Sequence, residues 1–121
     1  MRIFKLKLFH KWAFKEGLTD ESLQKAIKEM ENGLIDADLG GNVYKKRVGI
    51  QGRGKRGGAR TLIAFQIKEN SFFMYGFAKN QRDNIESNEL KALKRLAKEL
   101  LSYSNEKLEQ AMKAGEIIEV L

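Results

Sequence analysis

Eight lysine and arginine side chains lie in a segment of the chain, residues 39–68, that contains no aspartate or glutamate. The 23 basic residues outnumber the 16 acidic ones by seven, so the rest of the chain carries one net negative charge. Such a concentration of positive charge favours a polyanionic partner, because clustered like charges repel one another in the folded state. Guanidinium and ammonium groups donate hydrogen bonds to phosphate, so this segment is predicted to bind a nucleic-acid backbone.

The same segment is rich in glycine, with five glycines in the ten positions from Gly49 to Gly58. Glycine lets the backbone approach a ligand closely. The segment lacks the pattern of a nucleotide-binding phosphate loop and leads into a predicted strand, whereas that motif opens a helix. Many spaced charges therefore indicate binding along a nucleic acid, and the alternative is a solvated hairpin loop whose charges serve solubility.

The composition predicts a single domain over residues 1–121, since the length suits one core and 42% of the residues are hydrophobic. There is no cysteine, so disulfides, thiol nucleophiles and thiolate metal sites are excluded. With no clustered histidines and carboxylates either, we expect neither a metal nor a cofactor. No apolar run approaches the roughly 20 residues that span a membrane. We expect a cytoplasmic protein with no membrane partner.

Hydrophobic periodicity predicts an α+β fold, a small antiparallel sheet with helices packed on one face and extra C-terminal helices. Strands are predicted at 2–8, 43–50, 60–68 and 72–78, with a loop from Gly52 to Gly58 and a closing strand or packed tail near residue 117. A short helix is predicted at 9–17. Longer ones are predicted to begin after Thr19, Ser87 and Ser104, because these residue types cap helices well.

A second polar cluster follows the strand at 72–78 and contains Lys79 and Arg82. Residues 60–68 and 72–78 are joined by a short polar turn, which favours an antiparallel hairpin. In such a hairpin the end of the second strand lies near the start of the first, close to Arg60. The two basic clusters can therefore share one site, and the alternative is that Lys79 and Arg82 are surface charges on a turn.

Residues 54–65, Gly-Lys-Arg-Gly-Gly-Ala-Arg-Thr-Leu-Ile-Ala-Phe, and 72–80, Phe-Phe-Met-Tyr-Gly-Phe-Ala-Lys-Asn, resemble the RelE/HigB-type toxins of bacterial toxin–antitoxin pairs, in the RelE/ParE superfamily. The resemblance implies an endoribonuclease that cuts messenger RNA on the ribosome and is silenced by a cognate antitoxin. Arg60 matches the family's arginine after the glycine pair. Lys79 and Asn80 match the polar pair that closes the last strand.

Cleavage of RNA by its own 2′-hydroxyl requires a proton acceptor, stabilisation of the phosphorane and a proton donor for the leaving 5′-oxygen. Arginine suits the second task, and a lysine crowded by other cations suits the first. The predicted catalytic residues are therefore Arg60, Lys79, Lys46, Arg47 and Lys55. The predicted RNA-binding residues are Lys45, Arg53, Arg56, Asn80 and Arg82. The general acid stays unassigned, because no tyrosine or histidine follows the last strand as in some family members.

The same basic, glycine-rich pattern is also compatible with two other functions. One is a nucleic-acid-binding module without cleavage, and the other is a gyrase inhibitor of the ParE-like branch. The leucines between Leu90 and Leu101 are predicted to be core, although a groove for the antitoxin is the alternative. An exposed last strand makes a homodimer a further candidate assembly. His10, the only histidine, is predicted to be structural.

Overall fold

The computed structural model describes residues 1–50, 54–78, 82 and 84–121, with the backbone alone at 54–57. In these ranges the chain forms six strands and four helices. The strands are β1 (Ile3–Leu6), β2 (Ala37–Asp38), β3 (Val43–Ile50), β4 (Gly54–Ala64), β5 (Ser71–Ala78) and β6 (Ile117–Glu119). The helices are α1 (Lys7–Glu16), α2 (Asp20–Glu31), α3 (Ser87–Leu101) and α4 (Asn105–Lys113). None of the described helices is long and apolar enough to cross a membrane.

All six strands belong to one open sheet in the order β2-β3-β4-β5-β1-β6. The chain runs antiparallel through β2, β3, β4 and β5, whereas β1 lies parallel to β5 and antiparallel to β6. The α+β prediction is confirmed, as is the hairpin between β4 and β5. The predicted closing strand is β6, and β2 is a two-residue strand that the sequence pattern did not reveal.

Helices cover both faces of the sheet, whereas the sequence suggested one. Side chains of α1 and α2 pack with Val48, Ile63 and Phe73 in one hydrophobic cluster. Side chains of α3 and α4 pack with neighbouring residues of the same strands in a second cluster. Consecutive strand residues point to opposite faces, so β3, β4 and β5 supply both clusters. We refer to these two sides as the α1–α2 face and the α3–α4 face.

Several predicted boundaries differ from the structure, most of all those of α1 and β4. Helix α1 begins at Lys7, two residues earlier than predicted, because β1 ends at Leu6. Strand β4 begins at Gly54, inside the predicted glycine loop, since its backbone pairs with Ile50 of β3. It ends at Ala64, and the connection to β5 runs from Phe65 to Asn70.

The predicted caps are right for two helices. The Thr19 hydroxyl accepts a hydrogen bond from the Ser22 backbone N–H, and the Ser22 hydroxyl oxygen accepts one from the Thr19 backbone N–H, so a capping box closes the N-terminus of α2. Ser104 caps α4. The prediction for α3 was wrong by one residue, because Glu86 is the cap and forms a reciprocal box with Glu89. Ser87 is the first helical residue.

Candidate functional site

The centre of the α3–α4 face carries two arginines from neighbouring strands. Arg47 of β3 and Arg60 of β4 are directly paired in the antiparallel register. Lys45 lies two residues before Arg47 on the same strand and pairs with Leu62, so its side chain belongs to the same face. Three of the predicted basic residues are thus brought together.

Arg60 is the most deeply placed of these cations, with only 7% of its surface exposed. Its Nη1 atom is buried and has no hydrogen-bond partner among the described residues. A buried guanidinium nitrogen without a partner is costly, and native proteins seldom leave one unsatisfied. Arg60 therefore brings to this face a buried guanidinium donor that has no partner among the described residues.

Arg47 is exposed and is positioned by Asp36. The Asp36 carboxylate accepts a hydrogen bond from the Arg47 backbone N–H, and its Oδ1 lies 3.7 Å from Arg47 Nε. Half of the Arg47 side chain stays accessible. This arrangement fixes the strand at Arg47 while leaving most guanidinium donors free for solvent or ligand.

Two aromatic side chains of β5 lie on the same face of the sheet as Arg60. Phe77 pairs with Arg60 and Tyr75 pairs with Leu62, so both rings belong to the α3–α4 face. The Arg82 guanidinium carbon lies 5.6 Å from the Phe77 ring centroid and 6.0 Å from that of Tyr75. Tyr75 is the one half-exposed side chain of an otherwise buried strand. Arg82, which follows β5, thus contacts the ring that pairs with Arg60. That the two basic clusters share one site stays a prediction.

Arg82 is held by Glu89, at the N-terminus of α3. Its guanidinium donates to both carboxylate oxygens of Glu89, to the Tyr75 hydroxyl at 3.2 Å and to the Asn84 carbonyl at 2.9 Å. The ion pair lowers the pKa of Glu89 to about 2 and raises the pKa of Arg82. With its donors occupied inside the protein, Arg82 orders this segment and orients Tyr75.

Lys46 lies on the opposite side of the sheet from Arg47. Only 3% of its surface is exposed, and its ammonium group lies 2.9 Å from Glu29 and donates to the Leu34 carbonyl. The Thr61 hydroxyl, which is also buried, donates to the Lys46 carbonyl. Lys46 therefore ties β3 to α2 on the α1–α2 face and is separated from Arg60 by the sheet.

The remaining predicted residues are only partly placed. Lys55 and Arg56 lie on β4, where the backbone alone is described. Arg53, Lys79 and Asn80 lie outside the described residues. Tyr75 was missed because its strand reads as a continuous apolar run. The sequence indicated Tyr75 only through its phenolic hydroxyl, a polar group within that apolar run.

A cavity of 570 Å³ lies on the α1–α2 face, between α2 and the edge of β3. Two carboxylates, Glu21 and Glu29, line it together with Lys25 and the strand from Arg47 to Gly49. The two carboxylates are matched by Lys25 and Arg47, so the lining offers no excess of positive charge to favour a polyanion. In the part of the chain that the structure describes, no group of three or more histidine, aspartate or glutamate side chains is suited to hold a metal ion.

An open, mostly antiparallel sheet with paired arginines on one face defines a small α+β protein with a cationic pair on its sheet. Comparison with protein families matches residues 1–120 to the RelE toxin of the RelE/RelB toxin–antitoxin system. The chain therefore belongs to the RelE toxin family, and an antitoxin is its implied partner. Among curated proteins, no sequence matches it significantly.

Proposed function

We propose that this toxin is a metal-independent endoribonuclease that cuts messenger RNA on the ribosome and is neutralised by its cognate antitoxin. One observation supports it above the others: Arg60 is buried, carries a guanidinium nitrogen with no described partner, and lies beside the exposed Arg47. Membership of the RelE toxin family supports a role for this cationic pair in RNA cleavage.

The proposed reaction is attack by an RNA 2′-hydroxyl on the adjacent phosphate. The phosphorane that forms carries more negative charge than the starting phosphodiester. Arg60 and Arg47 bind its oxygens, and the low exposure of Arg60 strengthens its electrostatic contribution, because little water screens it. A planar guanidinium also orients the phosphate through two parallel hydrogen bonds.

Proton transfer is assigned to other groups, because arginine stays protonated. Lys45, Lys55 and Lys79 are retained as candidates for the base, and Lys46 is left out because it is buried against Glu29. We add Tyr75 as the proton donor for the leaving 5′-oxygen. It is partly exposed on the arginine-bearing face, and Arg82 donates a hydrogen bond to its hydroxyl oxygen, which orients the hydroxyl group.

In this proposal the ribosome positions the RNA strand, a task that the toxin surface performs poorly by itself. Around Arg47 and Tyr75, the described part of the α3–α4 face offers charge and few groups to fix an RNA strand in one register. A bound messenger held by the ribosome enters this surface already oriented, which lowers the entropic part of the barrier. We therefore expect weak cleavage of free RNA.

Controlled expression in bacteria, followed by mapping of RNA 5′ ends, tests the function. We expect growth arrest with new ends inside translated messages, and loss of both for Arg60→Ala. Arg95→Ala on α3 is the matched control, since that arginine is exposed and has no ion-pair partner among the described residues. Arrest with intact RNA and DNA damage would instead indicate gyrase poisoning. Binding to RNA without cleavage would indicate a non-catalytic module.

A further inference from the structure

The outward side of helix α1 carries charge and apolar surface that the fold does not use. Phe9 and Ala13 bury the inner side of the helix in the core. The outer side presents five exposed residues, Lys7, Leu8, Lys11, Phe14 and Lys15. We call this surface the α1 outer face.

Its three lysines occupy positions 7, 11 and 15, so they form one stripe along the helix. Like charges at this spacing destabilise a helix, and positive charge near a helix N-terminus opposes the helix dipole. The first turn of α1 has no acidic residue, and none of the three lysines has an ion-pair partner in the described ranges. Lys15 lies in the last turn, where positive charge suits the helix dipole, whereas Lys7 and the like-charged neighbours work against the helix.

Two large apolar side chains flank the stripe. Leu8 is 77% exposed and Phe14 is 82% exposed. Each lies three residues from Lys11, on opposite sides of it around the helix. An exposed apolar surface that is rimmed by charge is typical of a protein–protein contact.

We propose that the α1 outer face binds an acidic amphipathic segment of the antitoxin, an inference that rests on the toxin–antitoxin role proposed above. Carboxylates of that segment pair with the three lysines, and its apolar side chains cover Leu8 and Phe14. An RNA backbone would satisfy the lysines alone, because phosphates offer no apolar surface for the two flanking side chains. The combination therefore favours a protein partner.

The α1 outer face is separate from the arginine pair. Helix α1 packs against β5 from the α1–α2 face, with Trp12 lying directly over Gly76, whereas Arg60 lies on the other face. A segment bound to α1 holds the antitoxin on the toxin without contacting Arg60. Binding at α1 and cleavage at Arg60 are thus separable by mutation.

The test measures binding of the purified antitoxin, encoded next to the toxin gene, to the full toxin and two variants. These are Leu8→Ser with Phe14→Ser, and Lys7→Glu with Lys11→Glu and Lys15→Glu. We expect each variant to bind roughly 30-fold more weakly or worse, as for central contacts of an interface. Ile67→Ser and Lys113→Glu are the matched controls, exposed residues of the same kinds outside α1, and should bind within twofold of the natural chain.

Ribosome binding and messenger cleavage are measured on the same variants. Unchanged antitoxin affinity would overturn the proposal, and so would an antitoxin that fails to bind the natural toxin. A loss of ribosome binding with antitoxin affinity intact would assign the face to RNA instead. Absence of Arg60-dependent cleavage, with the antitoxin still sensitive to Phe14, would reject the nuclease activity and leave the docking surface standing.

Discussion

Arg47 and Arg60 lie directly opposite each other on neighbouring strands, β3 and β4. Side chains in such a pair have Cβ atoms about 5 Å apart, where like charges repel. Phe77 flanks Arg60 on the other side, so the repulsion is not relieved by a carboxylate on that strand. An anion that binds both guanidinium groups would remove the repulsion, which is why this pair is the centre of the proposed site.

Replacing Arg60 should separate activity from stability. We expect Arg60→Met to lower the single-turnover rate of messenger cleavage on the ribosome by about 10²–10³-fold, the usual effect of removing a transition-state donor. The free energy of unfolding in urea should stay equal or rise, because a buried charge with an unpaired nitrogen is replaced by an apolar chain. A large loss of stability with unaltered cleavage by the folded fraction would make Arg60 a structural residue.

Replacing Lys46 should do the opposite. Lys46→Ala removes the ammonium group that lies 2.9 Å from Glu29 and donates to the Leu34 carbonyl, so we expect a loss of about 1–3 kcal/mol in unfolding free energy. Cleavage by the protein that stays folded should be within a few-fold of normal. Chemical denaturation and ribosome assays on one preparation provide both values, and selective loss of cleavage would return Lys46 to the catalytic site.

Gly76 should tolerate no side chain while Trp12 is present. A Cβ at this position would lie 2.2 Å from Trp12 Cζ3, far inside van der Waals contact. Gly76→Ala should therefore cost about 1–3 kcal/mol or more of unfolding free energy. Trp12→Leu opens this space, so the double variant should be more stable than the sum of the two single effects predicts. Strict additivity in this cycle would contradict the contact.

The ion pair between Arg82 and Glu89 predicts a specific pH dependence. The pKa of Glu89 falls from 4.5 to about 2 on folding, mainly because Arg82 donates hydrogen bonds to its carboxylate. A lowered pKa means that the stabilisation is complete above pH 4.5 and is lost as the pH falls towards 2.

The midpoint temperature of thermal unfolding should therefore be higher for the natural chain than for Glu89→Gln at pH 6. The two midpoint temperatures should converge near pH 2. Glu106→Gln on α4 is the control, since Glu106 has no ion-pair partner in the described part of the chain. A difference between the natural chain and Glu89→Gln that did not depend on pH would refute the prediction.

The sequence predicted local structure correctly where the residues that determine an element lie close together within it. Thr19 and the apolar spacing after it predicted α2 correctly, because a capping box involves residues only three apart. The start of β4 could not be predicted from the sequence. Gly54 to Gly58 favour a turn by composition, and only pairing with β3 makes them extended. Tyr75 was likewise hidden, since its half-exposed position depends on which strand lies opposite.

The triplet Lys45-Lys46-Arg47 shows the division between sequence and tertiary structure most clearly. The sequence by itself determined that strand β3 carries three adjacent cations, and that alternate residues of a strand point to opposite sides. It did not determine what covers each side. Packing of α2, with Glu29 above the sheet, buries Lys46 as a structural ion pair, whereas Arg47 faces the surface that also carries Arg60. The role of each cation follows from long-range packing, which no local pattern encodes.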